Sequence, residues 1–219
     1  MNFTRIALVG FVAACAFAAW PRRPVVIDTH GPTRQLIISS TLARSDDPIV
    51  VLGDSIVEAS TLPRSLCGHA IVNAGIGGTS TASGLDEILK ASLSGKRAAL
   101  VVVSLGTNDA AIPLSVEQYR SNYLALLTEV ATLTSRRAIA AIPPPEAGLL
   151  EAKKVSAAVI DSYNAVLPKL AEEARAAFIA LPAMPEHHTL DGVHLNGGGY
   201  EVWDKAILAG IDAALCKSP

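Results

Sequence analysis

Aromatic side chains are scarce in this 219-residue sequence, at 5% of the total. That scarcity argues against a stacking platform for single-stranded nucleic acid or for an extended polysaccharide. Charge of one sign is missing as well: 18 Lys and Arg face 20 Asp and Glu, a net charge of −2. Without a basic excess there is no electrostatic footprint for a phosphate backbone, and no nucleic-acid partner is expected. Charged residues make up only 17% of the chain and hydrophobic ones 50%, a balance that excludes a disordered polymer. The 13 prolines and 16 glycines follow no collagen-like period, and no internal repeat or low-complexity tract appears. What remains is a chain of the size that builds one core, in which two independent domains would be cramped.

Long hydrophobic runs are also missing, with one exception at the start. Arg5 precedes an uncharged apolar stretch from Ile6 to Trp20, closed by Pro21, Arg22 and Arg23. As a helix this stretch spans about 22 Å at 1.5 Å per residue, short of the roughly 30 Å of a bilayer core. Residues 1–20 therefore read as a signal peptide or an N-terminal membrane anchor. Ala16-Phe17-Ala18 offers a signal-peptidase site, and Val12-Ala13-Ala14-Cys15 has the pattern of a lipobox. The expected location is exported, periplasmic or secreted, or else membrane-anchored through residues 6–20. Arg22 and Arg23 pull the other way, since the positive-inside rule keeps such a pair in the cytoplasm. Of three cysteines, Cys67 and Cys216 lie beyond this segment. They suit one disulfide in an oxidising compartment or two buried thiols, because the sequence does not set the distance between their Cα atoms.

Residues 21–47 form a polar lead-in with a helix expected over 35–43, and the organised domain spans 48–219. From Pro48 onward, short apolar runs alternate with longer helical patterns: 49–52, 70–73, 98–105, 137–142 and 177–181 read as five strands. Ser115 opens a helix with Gln118 at the capping-box position, and Val116, Tyr119, Tyr123, Leu126, Leu127, Val130 and Leu133 make one apolar stripe. Val155, Val159, Tyr163, Val166, Leu167 and Leu170 mark the next helix, which Pro168 should kink or split. A last helix should start near Asn196 and turn Tyr200, Trp203, Ile207 and Ile211 inward. Strands without polar alternation, separated by helices, imply a parallel sheet covered on both faces: a three-layer α/β fold.

In such sheets ligands bind outside the carboxyl ends of the strands. The residues following four of the runs are polar: Gly53-Asp54-Ser55, Asn73 to Gly78, Gly106-Thr107-Asn108-Asp109, and Asp191-Gly192-Val193-His194. A serine at a strand-to-helix turn has its own N–H at a helix N-terminus, where negative charge is favoured. Its hydroxyl needs a base, for which His194 is suited, and Asp191 is three residues away to hold the imidazole in one tautomer. The backbone of Gly77 and Gly78 and the amide of Asn108 could donate to an oxyanion. These are the roles of an acyl-transfer site. Asn73, Asp54 and Asp109 read as residues that tie loops together or cap helices.

At these positions the sequence resembles the SGNH (GDSL) hydrolase family of serine esterases and lipases, in the order and spacing of the four clusters across residues 48–215. The resemblance implies a flavodoxin-like five-stranded sheet of order 2-1-3-4-5. It also implies ester hydrolysis through an acyl-serine intermediate, without metal or cofactor. Carried over position by position, Ser55 is nucleophile and first oxyanion donor, Gly78 and Asn108 are the other donors, His194 is the base and Asp191 its orienting carboxylate. Gly78 is preferred to Gly77 by its spacing from Asn73. One departure is Glu58-Ala59-Ser60, where many members have Gly, so a carboxylate should project near the mouth of the site.

The expected substrate is a small-molecule ester of small or medium acyl length, with acetyl groups on sugars or lipid esters as candidates. The loop from Pro143 to Glu151, carrying Ala147, Leu149 and Leu150, could line an acyl pocket. Two other readings compete. His187, His188, Asp191 and His194 are metal ligands by type and would suit a metal-dependent hydrolase. A catalytically silent binding module on the same fold is the other. Gly75 to Ser80 departs from a dinucleotide fingerprint at its last position and does not follow the first strand.

Overall fold

The structure, a computed structural model, describes residues 29–112 and 114–216. The apolar N-terminal segment, with its cleavage and lipobox patterns, lies outside the described residues. Among those described, no helix is long and apolar enough to cross a membrane.

Chain order is helix α1 (His30–Ala43), strand β1 (Ile49–Gly53), α2 (Ser55–Glu58), β2 (Ser65–Leu66), β3 (His69–Gly75), α3 (Leu85–Leu93), β4 (Leu100–Ser104) and α4 (Thr107–Ala111). Then follow α5 (Val116–Leu133), β5 (Arg137–Ala140), α6 (Ala157–Glu173), β6 (Ala177–Ile179) and α7 (Gly197–Ile211). The strands form one sheet of order β2-β3-β1-β4-β5-β6. All neighbours are parallel except β2, which pairs antiparallel with β3. The five expected strands are present in the expected order. The sixth, β2, is two residues long and carries no period-2 pattern for a sequence reading to detect.

Every residue of β1 and β4 is buried, and alternation divides their side chains between two cores. Val50, Leu52, Val101 and Val103 face α1, α3, α5 and α6. Ile49, Val51, Leu100 and Val102 face the other way, onto Trp203, Ile207 and Ile211 of α7. Burial on both faces is why these strands lack polar alternation. At about 25 cal/mol per Å² of apolar surface, such central strands carry much of the driving force for folding.

The helices follow their stripes. Ser115 and Gln118 form the full capping box, and Tyr119, Tyr123, Leu126, Leu127, Val130 and Leu133 are buried. The tyrosine hydroxyls are satisfied at the carboxyl end of the sheet: Tyr119 donates to the Leu105 carbonyl and Tyr123 to that of Val103, each at 3.1 Å. Contrary to expectation, α6 continues through Pro168. The proline is exposed, so its ring and missing N–H fall on the solvent face, and buried Ile160, Tyr163, Leu167 and Leu170 hold the helix to the sheet from the other side. The lead-in helix is longer than expected and is packed, with Ile38 and Leu42 in the same core as Leu85, Leu89 and Leu93 of α3. Cys67 and Cys216 are disulfide-bonded, with Cα atoms 5.9 Å apart, which ties the β2–β3 turn to the segment after α7.

Candidate active site

Register brings the motifs together. Gly53 at the end of β1 pairs with Gly75 of β3 on one side and Ser104 of β4 on the other, so three of the four clusters leave the sheet side by side. The first turns at once into α2. Asp54 caps this helix, accepting the Ile56 N–H at 2.9 Å, and Ser55 becomes its first residue. The turn has no room for side chains: a Cβ on Gly75 would lie 2.2 Å from Glu58 N. Gly106 has φ of 141°, and a Cβ there would lie 2.3 Å from Ile142 Cδ1.

The fourth cluster arrives from across the sheet. Ser55 Oγ is 3.0 Å from His194 Nε2, and His194 Nδ1 is 2.6 Å from Asp191 Oδ2. The second Asp191 oxygen accepts the N–H groups of Val193 and His194 at 3.0 and 2.9 Å, which fixes the carboxylate plane. With Nδ1–H donated to Asp191, Nε2 presents a lone pair to the serine hydroxyl. Partial burial alone would raise the Asp191 pKa. The hydrogen bonds from the His194 ring and from two backbone N–H groups outweigh it and hold the carboxyl below its ordinary value. His194 and Asp191 remain 41% and 34% exposed, so the pair is reachable from solvent.

The second cluster forms a loop over α2. Ile76 N–H donates to Gly53 O at 2.9 Å, and Thr79 Oγ1 donates to Ile76 O at 2.8 Å. Gly77 donates its N–H to Glu58 Oε2 at 2.7 Å. Gly78 has φ of 79° and open space where a Cβ would be. Asn108, in the first turn of α4, gives one amide hydrogen to Thr79 O at 2.8 Å. Asn73 acts as a loop tie: its Nδ2 donates to Val57 O at 2.6 Å and its Oδ1 accepts the Gly75 N–H at 3.0 Å. Asp109 ties the second and third clusters, accepting the N–H and hydroxyl of Thr81.

Beneath these loops lie two buried carboxyls. Asp54 is 2% exposed and Asp109 not at all. Burial pushes Asp54 up to about 7 despite the Ile56 N–H, and the nearby Asp109 adds to the rise. Burial also raises Asp109, against the hydrogen bonds from Thr81.

The metal-site alternative finds no convergence. His187 Nδ1 meets Glu146 Oε1 at 3.0 Å. The two His188 ring nitrogens face the carbonyl oxygens of Pro185 and Pro144, and His194 stands between Ser55 and Asp191. Among the described residues, the ligand-type side chains that gather at one point are Cys67, Asp212 and Cys216, where the two sulfurs are already bonded to each other.

Sequence reasoning missed one carboxylate that organises the loops. Glu146 accepts His187 Nδ1, the hydroxyl and N–H of Thr189, and the N–H of His188. The His187 and Thr189 hydrogen bonds lower its pKa to about 2. With Glu146 N–H donating to Gly192 O and Glu151 N–H to Asp191 O, the loop from Pro143 is bound to the segment carrying Asp191 and His194. Glu58, expected near the mouth, lies beside the Gly77 turn, and the partners the sequence did not show are His30 Nε2 at 3.0 Å and Arg34 Nε at 3.2 Å. An apolar stripe gives no signal for contacts of this kind.

The mostly parallel α/β sheet thus sets a serine, a histidine and an aspartate in one hydrogen-bonded line at its carboxyl edge. The profile of the GDSL-like lipase/acylhydrolase family matches residues 51–202, and the chain belongs to that family, whose members are ester hydrolases. A protein of Streptococcus pneumonia described as a platelet activating factor is 23% identical, with a TM-score of 0.68 over 94% of this chain and 98% of its own. A lipase/acylhydrolase from Enterococcus faecalis is 21% identical, with a TM-score of 0.64 over 78% and 98% of the two chains. A catalytic mutant of an acetylxylan esterase from Geobacillus stearothermophilus is 18% identical, with a TM-score of 0.58 over 76% and 94%. These structures share the fold. No curated protein matches the sequence.

Proposed function

We propose that the protein hydrolyses carboxylic esters of small or medium acyl length through an acyl-serine intermediate. The observation that carries this reading is the line from Ser55 Oγ to His194 Nε2 to Asp191, at 3.0 and 2.6 Å. His194 takes the serine proton as Oγ attacks the ester carbonyl, and Asp191 stabilises the imidazolium that forms. The carbonyl oxygen gains negative charge and is met by the N–H groups of Ser55 and Gly78 and the second amide hydrogen of Asn108. His194 returns its proton to the departing alcohol. A water molecule, deprotonated by the same ring, then releases the acid. No step passes through a metal or cofactor.

The acyl group is assigned to the rim beside Asp191. Leu149, Leu150 and Leu190 are 37%, 70% and 74% exposed, and the Leu149 Cβ is 3.0 Å from where a side chain on Gly192 would begin. The ester is a lipid or a singly acetylated sugar rather than an extended polysaccharide, in keeping with the few aromatics. We place the protein outside the cytoplasm, a reading supported by the Cys67–Cys216 disulfide, with residues 6–20 as export signal or membrane anchor.

The test is hydrolysis of p-nitrophenyl esters from acetate to palmitate, with EDTA present, by the wild type and Ser55→Ala. Ser55→Ala should lose at least about 10³-fold in kcat while keeping its circular dichroism spectrum, and the chain-length optimum assigns the acyl group. Activity lost to EDTA yet retained by Ser55→Ala overturns the reading, and an inactive wild type favours the silent binding module.

A further inference from the structure

The lead-in helix α1 reaches the site through Glu58. The Glu58 carboxylate is largely enclosed, at 19% exposure, and so is Arg34, at 17%. It accepts the Gly77 N–H at 2.7 Å and meets Arg34 Nε at 3.2 Å and His30 Nε2 at 3.0 Å. Arg34 also donates to Gly75 O at 3.0 Å and to Asn73 Oδ1 at 3.2 Å, so it grips the same turn from outside. All of this happens next to the reacting serine. The point where a side chain on Gly77 would begin is 3.3 Å from Glu58 Oε2, 3.4 Å from His30 Nε2 and 3.7 Å from Ser55 Cβ. A negative charge so near the growing oxyanion would oppose it, unless balanced at once by a cation.

We propose that Glu58 is a positioning residue that engages the Gly77 N–H so that the Gly78 N–H is the one aimed at the oxyanion, and that Arg34 cancels the charge this arrangement brings to the site. The proposal rests on the acyl-serine reading above. It makes α1 part of the catalytic apparatus rather than a lead-in. The two glycines are adjacent, and their N–H groups compete for one oxygen. Tying down Gly77 resolves the competition and sets the peptide plane that precedes Gly78. The carboxylate supplies a strong acceptor for that purpose, and Arg34 removes the electrostatic penalty.

Five variants separate these roles, each assayed for kcat and KM on p-nitrophenyl acetate with thermal midpoints measured alongside. Glu58→Ala removes the acceptor, and kcat should fall about tenfold to a hundredfold with KM within about threefold, less than the loss of a donor itself. Glu58→Gln keeps an acceptor without charge and should stay within about threefold of wild type. Arg34→Gln leaves the carboxylate unbalanced and should lose about tenfold or more in kcat. The double variant Glu58→Gln/Arg34→Gln should recover most of that loss. Arg34→Lys, which keeps the charge but not the forked hydrogen bonds, should lie between wild type and Arg34→Gln.

A purely structural Arg34 would leave the double variant as impaired as Arg34→Gln, and that result overturns the charge-balancing role. Wild-type kcat in Glu58→Ala overturns the positioning role, even if Arg34 variants fail to fold. Ser55→Ala, run alongside, keeps the two levels apart: if it is active the acyl-serine reading falls, whereas an inactive Ser55→Ala beside a fully active Glu58→Ala removes this inference alone.

Discussion

The carboxyl of Asp54, in the turn that leads into Ser55, is 2% exposed, with the Ile56 N–H as hydrogen-bond donor and Asp109 as a like-charged neighbour. Burial raises its pKa from an ordinary 3.8 to about 7. The folded protein therefore holds a proton there that the unfolded chain releases above about pH 4. Stability from this group is complete below the unfolded value and is lost as pH rises through the folded one. Each tenfold change in proton affinity is worth about 1.4 kcal/mol, so roughly 4 kcal/mol should drain away between about pH 4 and pH 7. Asp54→Asn keeps an oxygen for the Ile56 N–H and has no proton to lose. Urea unfolding of both proteins at half-unit steps from pH 4.5 to 8 gives the difference in stability at each pH. Asp109 is also raised by burial; its own burial is common to both proteins, and only its coupling to Asp54 enters the difference. The difference should slope across this window in favour of the variant at high pH. A flat difference would mean that Asp54 is ionised throughout in the folded protein, and the burial argument would fail.

Three further outcomes are expected. Asp191→Asn should cost about 10³- to 10⁴-fold in kcat, because an amide cannot hold His194 in the tautomer that accepts the serine proton; steady-state kinetics showing less than tenfold would refute that role. Replacing both Cys67 and Cys216 by Ser opens a link between residues 149 positions apart and should lower unfolding free energy by about 2–5 kcal/mol, an effect that an unchanged guanidinium midpoint would deny. Gly75→Ala, which drives a Cβ into the backbone of Glu58, should destabilise by about 1–3 kcal/mol and reduce esterase activity by moving α2; a fully active, equally stable variant would show that the turn has room after all.

The sequence by itself determined whatever depends on local periodicity and on residues close along the chain. The runs at 49–52 and 98–105 read as strands because both faces of β1 and β4 are buried, and the tyrosine and leucine stripe of α5 could be read because every third or fourth position faces the core. Asp54 as a cap, the Ser115–Gln118 box and the proximity of Asp191 to His194 are all separations of one to three residues. Three of the four polar clusters were legible because each directly follows or closes an apolar run, and the fourth because Asp191 and His194 lie three residues apart.

Tertiary structure decided what lies across long separations or depends on packing from one side. Cys67 and Cys216, 149 positions apart, are brought within reach of each other by the packing of α7 on the sheet. Pro168 interrupts nothing because it faces solvent while the opposite side of α6 is held by Ile160 and Leu167. His187 and His188 are ligands by type, yet Glu146 and two carbonyl oxygens engage them. The Gly77 N–H is taken by a carboxylate 19 residues away, itself paired with an arginine on a helix that carried no motif. Such contacts are set by which surfaces the sheet order brings face to face, and the identity of a residue's sequence neighbours carries little trace of them.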